Sequence, residues 1–521
     1  MMKKKLSMIL IAVMLLTACG SDSSQDLSYN VTDNSQQESV SRESMTLYMK
    51  IPQTLHPLEN KEETVDSVLR LMFLPLVDID ASLKAQPSVA ESWTFSADGL
   101  TLNLNLNSGI LWQNGTALTA DDVVYTVHCL LSAEEGTVYE HVKDYVASCS
   151  KNGAYSVSIR FHRAFSGNIY ALNFPVISQA YYQQGNVSMA PMGNGAYNFV
   201  SYETANQMLL TANTTCIKGT PSISSVLVKI LDSKETAENA FDQEMIDIYP
   251  TDAVSFGKFD ALSEEEIIYY PSLEYDFIGF QMENSIFSSQ KLRQAVAYAL
   301  PKEEIAESAY LQQASMTNTP ISSESWLYEE NVEDYAYDLT QAKKLLEEEW
   351  QDTDGDKILE NKETGEKLSF TILCNQENSI RRQIAQKLAE ELKSIGCNVT
   401  VEAVPYQTYY ERFTNGTFDM IIGGWKMSRM ADFSVFFGTD GAYNYGGYSS
   451  EETDALLEQA NTAVNENQII LAYSNLQKKL AEDLPYISIA YRKNVLLHHA
   501  EIEIPVVPTD EDPYHAAYAW E

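Results

Sequence analysis

Basic residues are scarce in this chain. Lys and Arg together number 35 against 73 Asp and Glu, a formal net charge of −38. That balance argues against nucleic acid as a partner, because phosphates cannot be neutralised in bulk. It argues equally against the body lying on an anionic membrane surface. Histidine is scarce too. The seven are scattered, and only His498 and His499 adjoin. No HExxH, GxSxG, P-loop or GxGxxG pattern occurs, so the inventory of an enzyme is missing. Neither CxxC nor a Cys/His metal spacing occurs among the six Cys, and no cofactor is expected. Beyond the first 16 residues, no apolar run approaches the roughly 18 residues that suggest a membrane-spanning helix. Apolar content is abundant, by contrast. Hydrophobic residues make up 45% of the chain and aromatics 11%, with 31 Tyr and 18 Phe. The acidity therefore does not signal disorder. A chain of 521 residues exceeds the roughly 250–300 at which single cores stop growing, so more than one domain is expected.

The amino terminus sets the compartment. Lys3, Lys4 and Lys5 precede a short apolar stretch from Leu6 to Leu16, which is signal-peptide architecture. It ends in Leu16-Thr17-Ala18-Cys19-Gly20, which resembles a bacterial lipobox. Residues 1–18 are read as the removed signal peptide. Cys19 is read as the lipidated new amino terminus, and 19–44 as a polar, flexible linker. Removing 1–18 takes away three Lys and no acid, so the body is more acidic still. The protein is expected outside the cytoplasm, held to the cell membrane by lipid alone.

Five Cys remain: Cys129, Cys149, Cys216, Cys374 and Cys397. Cys374 ends one apolar strand and Cys397 starts another. In a parallel pair their sulfurs lie roughly 15 Å apart at about 3.3 Å per residue, beyond disulfide reach. Cys129 and Cys149 are left as a candidate pair.

Strands and helices alternate along the chain. Thr46–Ile51, Leu100–Leu106, Tyr155–Phe161 and Ser225–Leu231 read as strands. Thr119 and Asp122 form a capping box ahead of Val123, Val124, Val127 and Leu130. Asp338 and Gln341 form a second before Leu345 and Leu346. Ser289 caps a helix carrying Leu292, Val296 and Leu300, and Pro301 stops it. Ile384, Leu388, Leu392 and Ile395, spaced 4, 4 and 3, form an amphipathic stripe that Gly396 ends. Leu368–Val404 is therefore a βαβ unit, which implies a parallel pairing. The class is α/β with mixed sheets.

Several segments, in order, resemble one family. They are Thr54-Leu55-His56-Pro57, Pro87 to Trp93, Asp98-Gly99-Leu100-Thr101, Trp112 to Gly115 with Leu118 to Val123, Pro191 to Tyr197, Lys291 to Ala295, Gly416 to Met420 with Gly424-Trp425, and Asp483 to Ile487. Together they resemble the bacterial extracellular solute-binding proteins of family 5, which serve peptide and nickel ABC importers. Most of these segments read as fold signatures. Pro191–Tyr197, for example, packs two glycines around a tight turn where positive φ is expected.

The resemblance implies a periplasmic-binding-protein-like fold. Two α/β lobes are joined by hinge strands, with an extra domain on the first lobe. Domain I takes 45–83, 193–277 and 488–521, domain II takes 84–192, and domain III takes 278–487. Glu274–Gln281 and Tyr486–Tyr491 are the expected crossings. The resemblance also implies a monomer that closes on its ligand and docks on ABC permease subunits. Peptide is the first candidate ligand. A nickel chelate or another small solute is an alternative, and so is a surface adhesion or signalling lipoprotein that has lost transport.

In peptide-binding members an Asp three residues after the Trp of the GW segment holds the peptide α-amine. Here that position is Ser428, which carries no charge. Asp432 is the nearest acid, and Arg429 suits an acidic group. Trp425 is the leading candidate for a cleft contact. Glu63 and Thr64 lie where peptide binders touch the ligand backbone. Tyr445, with Tyr443 and Tyr448, offers large rigid contact area. One stretch has a metal-like pattern: Asp352, Asp354, Asp356, Glu360 and Glu363 fall at positions 1, 3, 5, 9 and 12 of a twelve-residue loop. It resembles a calcium loop. Position 6 is Lys357 instead of Gly, so a solvated turn is preferred and no metal is expected.

Overall fold

The computed structural model describes residues 43–521, apart from 186, 253–262, 264–265, 284–285 and 431. The expected signal peptide, Cys19 and the expected linker up to residue 42 lie outside the described residues. The first strand, Ser44–Met49, starts at the linker's expected end.

Two long strands organise the molecule. Ile267–Phe280 runs for 14 residues and Tyr486–His498 for 13. They pair antiparallel over most of their length, with register shifts between Pro271 and Tyr275 and between Asp276 and Phe277. At one end Ile248–Asp252 pairs with the outer half of the second long strand. At the other end Met420–Lys426 pairs with the first. Ser369–Asn375 and then Asn398–Val404 extend that side in parallel. One mixed sheet thus reaches into both halves of the protein.

The apolar residues sort accordingly. One core gathers residues between Met45 and Tyr270 with Leu496, Ile502, Tyr514 and Trp520, and Met430 joins it from the other side. Two further cores draw on residues between Tyr275 and Tyr491. A four-stranded sheet in the first half places Ser44–Met49 parallel to Ser225–Ile230, followed by Gln207–Ala212 and Tyr197–Glu203. A second four-stranded sheet, wholly antiparallel, orders Ala90–Phe95, Thr101–Leu106, Ser156–Phe161 and Val146–Gly153.

Local chemistry explains the element ends. Thr119 and Asp122 close the capping box of helix Ala120–Leu131. Ser289 accepts from the Leu292 amide, and Asp338 from those of Thr340 and Gln341. Helix Ser379–Ser394 buries Ile384, Leu388 and Leu392, and Gly396 beyond it takes φ +100°. The parallel register sets Cys374 opposite Ala403 and Ser369 opposite Asn398, so Cys397 lies at the far end of its strand. All five described cysteines are free. The candidate Cys129–Cys149 pair is therefore corrected: one thiol sits on a helix, the other on a strand, and no disulfide joins them.

The turn at Pro191–Tyr197 also departs from expectation. Neither Gly193 nor Gly195 has positive φ. The amides of Asn194 and Gly195 both donate to the Met72 carbonyl, at 2.9 and 2.7 Å. A Cβ on Gly193 would lie 1.9 Å from that oxygen, and one on Gly195 2.6 Å from its carbon. Close backbone approach, not handedness, demands these glycines. No helix among the described residues is long and apolar enough to cross a membrane.

Candidate ligand-binding cleft

A cavity of about 610 Å³ opens on the first half of the protein, at the edge where Lys426 arrives from the second. Helix Glu63–Leu69 supplies Glu63, Thr64, Asp66 and Ser67. The outer half of the mixed sheet supplies Thr251, Tyr270 and Asn494. Lys426 arrives from the end of Met420–Lys426, and Asp510, Glu511 and Tyr514 from the carboxyl-terminal segment. Burial pushes the phenols of Tyr48 and Tyr270 well up, so both stay neutral. Burial lowers the pKa of His141 on the same wall, against the pull of Glu511.

Ionic groups of both signs line this cavity, and several are already engaged. Arg70 holds Asp66 at 2.8 Å, and the Tyr139 hydroxyl donates to the other Asp66 oxygen at 2.8 Å. The amide oxygen of Asn173 accepts from Arg70 at 3.1 Å and from Arg429 at 3.3 Å. Arg429 also binds Glu511. Lys426 approaches Asp510 at 3.9 Å, while Lys61 reaches away to Glu134 at 3.7 Å. Among the described residues, Glu63 and Lys234 form no ion pair. The chamber thus keeps one free carboxylate and one free ammonium on its wall.

The residues singled out from the sequence separate spatially. Glu63 and Thr64 line this cavity. Thr64 accepts the Lys50 amide at 3.1 Å. Ser428 and Arg429 border a small neighbouring gap of about 30 Å³, and the Ser428 hydroxyl is used locally, accepting the Met430 amide at 3.1 Å. Asp432 is committed to Arg163 at 2.5 Å and to the Ser434 hydroxyl. Burial pushes the Asp432 pKa up, yet Ser434 and Arg163 hold it below the usual carboxylate range.

Trp425 and Tyr445 lie in an aromatic cluster. Trp425 stacks on Phe277 at 6.2 Å and touches Phe413, Phe436 and Tyr443 at 5.3, 5.2 and 5.5 Å. Tyr445 meets Phe413 edge-on at 5.2 Å. Tyr443 is exposed, and Tyr448 is buried with its hydroxyl on Asp483 at 2.5 Å. Lys426, Lys234, Asp510 and Glu511 were not legible as cleft residues. Charges in three distant segments carry no local signature.

The acidic loop does draw Asp352, Asp354 and Asp356 together, with carboxylate oxygens within 4.8 Å of one another. Lys367 sits among them, 3.3 Å from Asp354, 3.8 Å from Glu360 and closer to Asp356. Glu360 is buried and accepts both the amide and the hydroxyl of Thr353 at 2.8 Å. Lys357 itself adopts the positive φ, +73°, that position 6 requires. Glu363 is exposed, away from the aspartate cluster. The loop therefore carries its own cation.

A two-lobed chain with a polar chamber at the junction is the layout of a solute receptor. The family model for bacterial extracellular solute-binding proteins, family 5 middle, matches residues 84–447. The chain belongs to that family. The oligopeptide-binding protein AppA of Bacillus subtilis strain 168 is 27% identical over 540 residues, covering 99% of this chain and 98% of the relative. The solved structure of Bacillus subtilis AppA with a nonapeptide aligns over 92% of this chain and 99% of that one, at 26% identity and a TM-score of 0.56. The unliganded open form of the murein tripeptide-binding protein MppA aligns over 92% and 97%, at 18% identity and a TM-score of 0.80. That last likeness concerns the fold alone. As a family 5 member, this chain is a solute-binding protein with a periplasmic-binding-protein-like fold.

Proposed function

We propose that this family 5 protein is the substrate-binding subunit of an ABC importer and captures peptides between its lobes. One observation carries the reading. The junction chamber presents a free carboxylate, Glu63, and a free ammonium, Lys234, to a single cavity of about 610 Å³. A zwitterionic chain matches that pairing, since each terminus meets a charge of opposite sign. Backbone groups of an extended peptide would supply the remaining hydrogen bonds. The similarity to an oligopeptide-binding protein and to a nonapeptide complex supports peptide over a nickel chelate.

In this reading domain I comprises 45–83, 193–277 and 488–521, domain II 84–192 and domain III 278–487. Domains I and II share one core, and the cores of domain III begin near residue 275. Cys19 carries the lipid, and the loaded monomer docks on the permease. Ser428 leaves the family's amine position neutral, and Glu63 takes over that charge. Native mass spectrometry of protein purified without refolding tests the reading. Co-purified peptides are expected. A protein whose melting temperature responds to nickel chelates and to no peptide library would refute it. Mass spectrometry of the amino-terminal fragment tests the lipid: a diacylglycerol-modified Cys19 is expected.

A further inference from the structure

A second chamber, of about 310 Å³, lies between the lobes on the side of residues 84–95 and 166–170. Its opposite wall comes from Trp326, Leu327, Met430 and helix Glu466–Asp483. Four features define what it can hold. First, two of its aromatic residues have their polar atoms engaged in hydrogen bonds. The Tyr170 hydroxyl and the Trp326 indole N–H both donate to the Leu83 carbonyl, at 2.9 and 3.0 Å. Second, its charges neutralise each other at the rim. Lys84 bonds Glu466 at 2.7 Å and lies 5.1 Å from the Trp326 ring centre. A charged guest would lose its water without finding a free partner.

Third, the two lobes touch at the chamber's edge. At its edge Gly167 comes so close to the other lobe that a Cβ there would lie 2.3 Å from the Met430 carbonyl oxygen. Fourth, its volume of about 310 Å³ is twice the ~150 Å³ apolar cavity that accepts benzene.

We propose that this chamber is a second recognition subsite, taking an uncharged aromatic group of one or two rings. Two sources supply that chemistry. One is an aromatic side chain of a peptide held in the polar chamber, an arm that rests on the peptide reading above. The small gap bordered by Ser428 and Arg429 shares Tyr170 and Leu327 with the apolar chamber, and Arg429 bonds Glu511 of the polar one. The other source is a free small aromatic molecule, which needs no peptide.

The experiment uses the full mature protein and three probes: tri-alanine, the tripeptide Ala-Trp-Ala, and indole. Calorimetry reads the peptides, and saturation-transfer NMR reads indole. Ile469→Trp, on a partly exposed helix position lining the chamber, fills the space. Trp93→Ala enlarges it, and thermal melting shows that both variants fold. A side-chain subsite predicts that Ala-Trp-Ala binds at least about 10-fold tighter than tri-alanine. Ile469→Trp then erases that preference and leaves tri-alanine binding unchanged. A free-ligand site predicts an indole signal that Ile469→Trp abolishes. If neither an aromatic preference nor indole binding responds to Ile469→Trp or Trp93→Ala, the chamber is not a subsite. If no peptide binds at all, the peptide reading falls, while the indole arm still decides this one.

Discussion

Arg429 and Glu511 tie the two lobes together across the cleft. Arg429 follows the strand Met420–Lys426, and Glu511 belongs to the carboxyl-terminal segment, 82 residues away. Asn173 adds a third chain segment by accepting from Arg429 and from Arg70. The acid lies between two guanidinium groups, at 3.9 Å from Arg70. Glu511→Gln removes the charge and keeps the shape. A sealed pair broken this way costs about 3–5 kcal/mol. The Glu511 side chain is 40% exposed, so a smaller loss of about 1–2 kcal/mol is expected. Denaturant unfolding measures it. Hydrogen exchange at residues 427–430 and 509–513 should quicken in parallel.

Asp276 predicts an acid limit to stability. It is buried on the first long strand and bonded to Arg381 at 3.0 Å, Arg492 at 2.8 Å and the Tyr310 hydroxyl at 2.9 Å. Burial pushes its pKa up, but the two arginines outweigh this and hold it below the usual carboxylate range. A group depressed in the folded state stabilises above its unfolded pKa of about 3.9 and loses that contribution as pH falls through the lower folded value. Wild-type melting temperature should therefore drop below about pH 4. Asp276→Asn should flatten this part of the profile and lower stability at neutral pH by about 3 kcal/mol, because two arginines are left without their acid.

Glu63 and Ser428 make a paired prediction about the peptide amine. Glu63→Gln should weaken binding of peptides with a free amino terminus by about 10-fold. Binding of the same peptides after N-acetylation should not change. Ser428→Asp should restore tight binding in the Glu63→Gln background. Calorimetric titration of all four combinations reads both effects. Equal affinity of Glu63→Gln and wild type for free-amine peptides would place the amine elsewhere.

Two glycines leave no free space for a side chain, one against backbone and one against a guanidinium tip. Gly195→Ala would drive a Cβ into the Met72 carbonyl group, and Gly424→Ala would place one 1.9 Å from the Arg381 guanidinium. Backbone cannot yield as a side-chain tip can. Gly195→Ala should cost about 3 kcal/mol or more, and Gly424→Ala should loosen the Asp276–Arg381 pair. Gly115→Gln offers a contrast: its φ is +81°, and nothing lies within 4 Å of a Cβ there. It should cost about 1 kcal/mol, from handedness alone. Urea melts of the three variants test the ranking.

Much of the fold was legible because its signals are local. The Thr119–Asp122 capping box and the Ile384–Leu392 stripe depend on neighbours within a turn or two, and both appear in the structure. The parallel βαβ pairing followed from element order. The cleft was only half legible. Glu63 and Thr64 were accessible through family resemblance, whereas Lys234, Asp510 and Glu511 meet only after long-range folding. Trp425 and Lys426 show the difficulty at its smallest scale. They adjoin on one strand, so their side chains take opposite faces. The aromatic goes to the cluster on Phe277, and the lysine goes to the chamber. Positive φ at the Gly193–Gly195 turn was inferred from composition, but distance to Met72 decides there, and no sequence shows a distance.

The carboxyl-terminal segment has a further consequence. Trp520 is fully buried in the same core as Met45 and Leu47. The backbone of Glu521 exchanges two hydrogen bonds with Glu503, at 2.8 and 3.1 Å. The first lobe is thus built from residues as far apart as Met45 and Trp520. During synthesis it must wait as an unfinished half until Trp520 has emerged. A receptor that works outside the cytoplasm gains from that delay, because a chain that cannot close its first lobe early stays threadable through an export channel.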